Sequence, residues 1–127
     1  MQEMDLFEYA VIRAVPRVER EEFLNVGVVL YCAKQKFLKI NYKIDEARIA
    51  ALCIGCDINL IREYLKAFEQ VANGDKNSGA IGKLPIAERF RWLTAARSTM
   101  VQTSKVHPGL CEEAGKMLES LFEQLVD

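Results

Sequence analysis

The sequence predicts a small α+β domain, in which an antiparallel sheet is packed with two to four helices. Its first third holds three apolar runs that are rich in β-branched and aromatic residues and joined by short connections. This is the pattern of an antiparallel three-strand meander. Two later segments place apolar residues at helical spacing instead. The 127 residues fit one domain, residues 1–127, and the 50% that are hydrophobic are enough for one core.

The strands of the meander are predicted at 7–15, 23–32 and 37–42. Apolar residues fall on both faces of the first run, as in a strand that is covered on both sides. Pro16 ends this strand, because proline has no amide hydrogen to donate to the ladder. The second run has one uniformly apolar face, and its other face is mixed and carries Asn25.

Two helices are predicted after the meander. Asp45 and Asp57 are suited to cap a short helix and a longer one, because an aspartate side chain accepts hydrogen bonds from the free amides of a first turn. We expect the longer helix to run to Ala72, because the following Asn73-Gly74 is a helix stop signal.

The rest of the chain is predicted to add a fourth strand and a closing helix. Residues 86–95 are predicted as a helical turn or an irregular segment, and residues 98–103 as the fourth strand. Pro108-Gly109 is predicted as a break, and residues 110–126 as an amphipathic helix.

Charge and hydropathy exclude several classes of protein. The net charge is −1, whereas nucleic-acid binders typically carry a large positive excess, so we expect no nucleic-acid partner. The N-terminal segment lacks the basic and apolar regions of a signal peptide, and no apolar run is long enough to span a bilayer. We therefore expect a soluble cytoplasmic protein without a membrane partner, and we expect its four cysteines to be reduced.

The best anion-site candidates lie in the second half of the chain. They are Arg91, Thr94, Arg97, Ser98 and Gln102. Guanidinium groups match the geometry of phosphate and carboxylate, and hydroxyl groups add directed hydrogen bonds. No nucleophile with an adjacent base is evident, so the segment indicates binding more than catalysis.

A second polar group lies in the first two strands. Arg13 needs a partner on its apolar strand, because a buried guanidinium is costly without one. Glu22, Asn25 or an external anion could supply it, and the strand register that decides is not fixed by the sequence. The simpler alternatives are a structural Arg–Glu pair at the strand end and a β-bulge in which Asn25 bonds to the backbone.

Cysteine spacing allows one metal hypothesis. Cys53 and Cys56 form a CxxC, and His107 with Cys111 could complete a Cys₃His zinc site. The two halves are far apart in the sequence, and Cys53 also fits the apolar face of a helix. We therefore predict free, unliganded thiols, no metal and no cofactor.

Most of the chain resembles the bacterial domain of unknown function 3037 family. The resemblance is carried by Tyr9–Arg13, Val15–Arg20, Glu22–Leu30, Glu88–Thr94, Arg97–Thr99 with Gln102, and Val106–Leu110. Members usually read Ala-Pro-Arg where this chain has Ala95-Ala96-Arg97. The resemblance implies a bacterial cytoplasmic protein of unassigned activity, and some members are encoded beside a kinase-like protein of the HipA type. It implies such a protein as a possible partner, and it assigns no catalytic residues.

Two hypotheses of function follow. The first is a non-catalytic accessory or interaction domain that binds a protein partner or a phosphate-bearing ligand around Arg91 and Arg97. A small anionic ligand is among the candidates. The alternative is a small enzyme acting on a nucleotide or a phosphorylated metabolite. In that enzyme Glu22 would be the acid or base, and it would have to share a cleft with Arg97.

Overall fold

The structure is a computed structural model that describes residues 3–126. The strands of the described part are β1 Asp5–Ala14, β2 Leu24–Cys32, β3 Phe37–Tyr42, β4 Val101–Thr103 and β5 His107–Cys111. Its α-helices are α1 Glu46–Leu52, α2 Ile58–Asn73, α3 Ile86–Thr94 and α4 Ala114–Leu125. Single 3₁₀ turns occur at Val18–Arg20, Lys76–Ser78 and Ile81–Lys83. The α+β class, the three-strand meander and the fourth strand are confirmed.

β1 is the central strand of the antiparallel sheet. The order is β3-β2-β1, and two short strands share the other edge of β1. β4 pairs with Ile12–Ala14, and β5 pairs with Asp5–Tyr9. One strand edge is therefore completed by two separate pieces of the C-terminal third.

The prediction of a break at Pro108-Gly109 was wrong, because both residues lie inside β5. An edge strand tolerates proline, since one side of its backbone needs no partner. Gly109 lies against the ring of Phe7, where a Cβ atom would come within 2.5 Å of the ring. The closing helix consequently begins at Ala114 and not at residue 110.

A β-bulge near the start of β2 shifts its register against β1. Ile12 pairs with Gly27 but Arg13 pairs with Asn25, so Val26 is the extra residue. The backbone carbonyl of Val26 accepts from Lys43 N at 2.8 Å. The bulge places Asn25 directly opposite Arg13, which settles the register that the sequence left open.

Helices cover both faces of the sheet, as the first strand predicted. One face packs on α1, α2 and α3, and the other packs on α4. The first cluster contains Ala10, Ile12, Ala14, Val26, Val29, Ile49, Ile61, Leu65, Phe68, Phe90, Leu93 and Val101. The second contains Phe7, Val28, Leu30, Cys32, Cys111, Ala114 and Leu118.

The predicted helix caps are confirmed. Oδ1 of Asp45 accepts from Arg48 N, and Oδ1 of Asp57 accepts from Leu60 N, each at 3.1 Å. Gly74 ends α2 in the left-handed conformation with a φ of 66°. Within residues 3–126, none of the helices has the length and apolar character that crossing a bilayer requires.

Candidate functional site

The two polar segments of the sequence meet in one cleft of about 250 Å³. We call it the Arg13–Arg97 cleft. Its lining consists of Arg13, Val15, Val18, Glu21, Phe23, Arg97, Ser98 and Gln102. The segments meet because β4 pairs with the end of β1, and because Val15 N donates to Met100 O at 2.7 Å.

Arg13 lies in the middle strand of this end of the sheet. It is paired with Asn25 on one side and with Gln102 on the other. Its guanidinium carbon lies 4.1 Å from the centre of the Phe23 ring. Its buried Nε has no hydrogen-bond partner within the described part of the chain. None of the carboxylates described forms an ion pair with it.

Arg97 is held by aromatic rings of two helices. Its guanidinium carbon lies 4.8 Å from the centre of the Phe68 ring and 4.7 Å from that of Trp92. Its Nη2 donates to Trp92 O in the last turn of α3. Burial lowers the pKa of the Arg97 guanidinium below its usual range, but an arginine still stays protonated. Residues 3–126 provide no carboxylate that pairs with it either.

The remaining polar groups of the cleft come from three short segments. Gln102 Nε2 donates to Thr99 O at 2.9 Å, which fixes its amide beside Arg13. Ser98 is exposed at the opening. Glu21 brings a carboxylate, and its φ of 58° is uncommon for a residue other than glycine.

Sequence reasoning missed the contributions of Glu21 and Phe23. Both belong to the connection between β1 and β2, whose path depends on the 3₁₀ turn Val18–Arg20 and on the bulge. An aromatic residue close to an arginine in a hairpin was the available signal for Phe23. No local pattern indicated Glu21.

Glu22 lies elsewhere. Its carboxylate forms an ion pair with Arg20 at 2.7 Å, and it lines a different cavity with Arg17 and Cys53. Glu22 therefore is neither the partner of Arg13 nor part of the cleft that contains Arg97. The enzyme hypothesis requires Glu22 and Arg97 in one cleft, and the two residues line different cavities.

Three other candidates have local structural contacts. Asn25 Nδ2 donates to Leu125 O at 3.2 Å and so ties the end of α4 to the sheet, while its buried Oδ1 has no partner among residues 3–126. Thr94 Oγ1 donates to Phe90 O at 2.9 Å within the last turn of α3. Arg91 is exposed on α3 and does not line the cleft.

The cysteines differ from expectation. Cys53 and Cys56 form a disulfide, so the prediction of four reduced thiols was wrong for this pair. Cys32 and Cys111 are free and buried.

Within residues 3–126, no group of three or more His, Cys, Asp or Glu side chains is arranged to hold a metal. The four zinc candidates are kept apart because Cys111 is packed under α4, whereas Cys53 ends α1. The ring of His107, the fourth candidate, lies 5.3 Å from that of Tyr9.

A family model described as protein of unknown function (DUF3037) matches residues 9–126. The chain belongs to this family. The match begins within β1 and includes the β1–β2 connection, β4 and the segment between α3 and β4, and thus the whole lining of the cleft. No curated protein and no solved structure matches the chain.

Proposed function

We propose that this DUF3037 domain is a non-catalytic accessory domain that binds a phosphate-bearing ligand in the Arg13–Arg97 cleft. The observation that carries the proposal is the pair of guanidinium groups. They come from separate segments, line one cleft, and have no carboxylate partner among residues 3–126. Guanidinium groups bind phosphate through short, charge-assisted hydrogen bonds.

The size of the cleft limits what enters it. Pockets for small-molecule ligands typically measure roughly 300–1,000 Å³, whereas this cleft measures about 250 Å³. A phosphate group fits, and the rest of a larger ligand stays outside. The lining carries two positive charges and one negative charge, from Glu21, so it favours an anion with several acceptor oxygens.

The lining supports binding without catalysis. Ser98 is the hydroxyl residue of the lining. The cleft provides no histidine or lysine as its base, and no hydrogen bond joins Ser98 to the carboxylate of Glu21 within residues 3–126. Glu22, the acid or base of the enzyme hypothesis, is paired with Arg20 in another cavity. The proposed setting is the bacterial cytoplasm. A phosphate-bearing protein partner, such as a kinase-like neighbour of the HipA type, is compatible with a cleft that admits one phosphate group.

The test is binding of inorganic phosphate by the full chain, measured by calorimetry and by NMR titration of the backbone amides. We expect Arg97→Gln and Arg13→Gln each to lower the affinity at least tenfold, because hydrogen bonds to charged groups contribute about 1.5–3 kcal/mol. Arg91→Gln is the matched control, since Arg91 is exposed and outside the cleft. It should change the affinity less than twofold.

Arg97 also packs on Phe68 and Trp92, so its loss can weaken the fold. Thermal unfolding of each variant separates that effect from binding, and Ser98→Ala with Gln102→Ala tests the cleft without removing a charge. Equal losses for Arg91→Gln and Arg97→Gln, or no phosphate-dependent shifts around residues 13 and 97, would rule the proposal out.

A further inference from the structure

A second cavity, of about 370 Å³, lies beside the disulfide. It is lined by Arg17, Arg20, Glu22, Ala51, Leu52, Cys53 and Ile54. Cys53 ends α1, and the turn that follows it carries Ile54, whose exposed fraction is 89%. The disulfide therefore lies at the boundary between core and surface, with Cys53 buried at 7% exposure and Cys56 half-buried beside the exposed turn.

The sulfur of Cys53 has a cation next to it. Arg17 Nε donates to Cys53 Sγ at 3.3 Å. Arg20 is neutralised by its ion pair with Glu22, whereas none of the carboxylates of residues 3–126 pairs with Arg17. A neighbouring guanidinium favours the thiolate form of a cysteine, and a cysteine that is more readily ionised is a better leaving group in disulfide exchange.

A purely structural role explains the disulfide poorly. Cys53 and Cys56 are three positions apart, and the entropy that a cross-link removes from the unfolded chain grows with the length of the loop it closes. In reducing compartments, moreover, disulfides are usually transient and serve catalysis or redox sensing.

We propose that Cys53 and Cys56 form a thiol–disulfide exchange site for dithiol reductants, in which Arg17 holds the departing Cys53 thiolate. One thiolate of the dithiol attacks Sγ of Cys56, which is less buried than Cys53. The bond between the two protein sulfurs breaks, and its electron pair leaves on Cys53. A mixed disulfide now joins Cys56 to the reductant.

The second thiol of the reductant completes the exchange. It loses its proton to solvent and attacks the reductant's own sulfur in the mixed disulfide, and Cys56 leaves as a thiolate that takes a proton from solvent. The dithiol is oxidised to a cyclic disulfide by two electrons, and the protein pair is reduced by two. The reverse sequence restores the protein disulfide with an oxidised dithiol.

The other cysteine pair provides an internal contrast. Cys32 and Cys111 are also neighbours, but their exposed fractions are 0% and 1%. Both lie in the cluster under α4, and the charged residue that acts on Cys111 is Asp5, a carboxylate and not a cation. We expect them to stay as thiols while the CxxC exchanges.

The first experiment equilibrates the full chain with mixtures of reduced and oxidised dithiothreitol, followed by alkylation and peptide mass spectrometry. We expect Cys53 and Cys56 to interconvert reversibly between thiols and one disulfide, with Cys32 and Cys111 alkylated throughout after denaturation. If oxidised dithiothreitol in large excess never yields the Cys53–Cys56 disulfide, the proposal is wrong.

The second experiment measures the rate of reduction by dithiothreitol at pH 7. Arg17→Gln should slow it at least threefold, Arg17→Lys should restore most of the rate, and Arg20→Gln is the control from the same turn. Thermal unfolding checks that each variant is folded. Identical rates of reduction for wild type and Arg17→Gln would show that Arg17 does not stabilise the departing Cys53 thiolate, and this part of the proposal would be wrong. None of these measurements depends on anion binding by the other cleft.

Discussion

Arg13 and Arg97 show how a guanidinium can be partly buried although none of the carboxylates in residues 3–126 pairs with it. Both lie over aromatic rings, Arg13 over Phe23 and Arg97 over Phe68 and Trp92. Such contacts contribute about 0.5–2 kcal/mol each. Unlike a carboxylate, an aromatic face does not neutralise the charge. Both side chains are therefore held in place by aromatic rings, and neither forms an ion pair within the described part of the chain.

Ser104 satisfies a backbone amide of the sheet with its side chain. Its hydroxyl accepts from Val11 N at 2.8 Å and donates to Lys105 O at 2.9 Å, at the point where β4 gives way to β5. We expect Ser104→Ala to lower the free energy of unfolding by about 1–3 kcal/mol, because the buried amide of Val11 loses its acceptor. Urea unfolding measures this change. Ser120→Ala, on the exposed face of α4, should stay within about 0.5 kcal/mol, and an equal loss there would contradict the explanation.

At the level of elements, strands and helices that have their own periodicity were predictable. The amphipathic spacing and the capping aspartates gave α1 and α2, and the β-branched runs gave β1, β2 and β3 within one or two residues. β5 has no such pattern. Its five residues contain Pro108 and Gly109, and they are a strand because β1 offers an unpaired edge and the Phe7 ring occupies the space of a Cβ.

Substitution of two glycines by alanine tests how closely the elements pack. A Cβ at Gly27 would lie 2.6 Å from Asn41 O and 2.8 Å from Tyr42 Cβ, in the neighbouring strand β3. We expect Gly27→Ala to lower the free energy of unfolding by about 1–3 kcal/mol, because the two backbones must move apart. Gly115→Ala, in α4, meets only Phe37 at 3.8 Å and should stabilise the protein by about 0.4–1 kcal/mol. Thermal and urea unfolding of the two variants should shift in opposite directions; a shift in the same direction would count against this packing.

At the scale of the whole molecule, the sheet separates two clusters of buried residues, and the cysteines Cys32 and Cys111 lie in the one under α4. Burial, and next the neighbouring Cys32, raise the pKa of the Cys111 thiol above its ordinary value of 9.0. The folded protein thus holds this proton more tightly than the unfolded chain. The resulting stabilisation of the folded protein is fully present below the ordinary pKa of the thiol. It is lost as the pH rises towards the higher pKa that Cys111 has in the folded protein.

We therefore expect the free energy of unfolding to fall above pH 9, by at most about 1.4 kcal/mol per pH unit for this one proton. Urea unfolding between pH 7.5 and pH 10, without oxygen, measures it. Cys111→Ala should lower stability at every pH but show a shallower alkaline decline. Parallel curves for wild type and variant would show that this thiol does not cause the decline.

The sequence by itself determined the family, the α+β class and the elements whose periodicity and caps are local. It also identified the two polar segments, because arginines and small polar residues inside apolar runs can be recognised without a fold. The tertiary structure alone decided that Arg13 and Arg97 share a cleft, that Glu22 and Arg91 do not line it, and that Cys53 bonds to Cys56 beside Arg17. The physical reason is register. One extra residue at Val26 sets which side chains of β2 face Arg13, and the free edge of β1 brings in distant residues that have no strong strand pattern of their own.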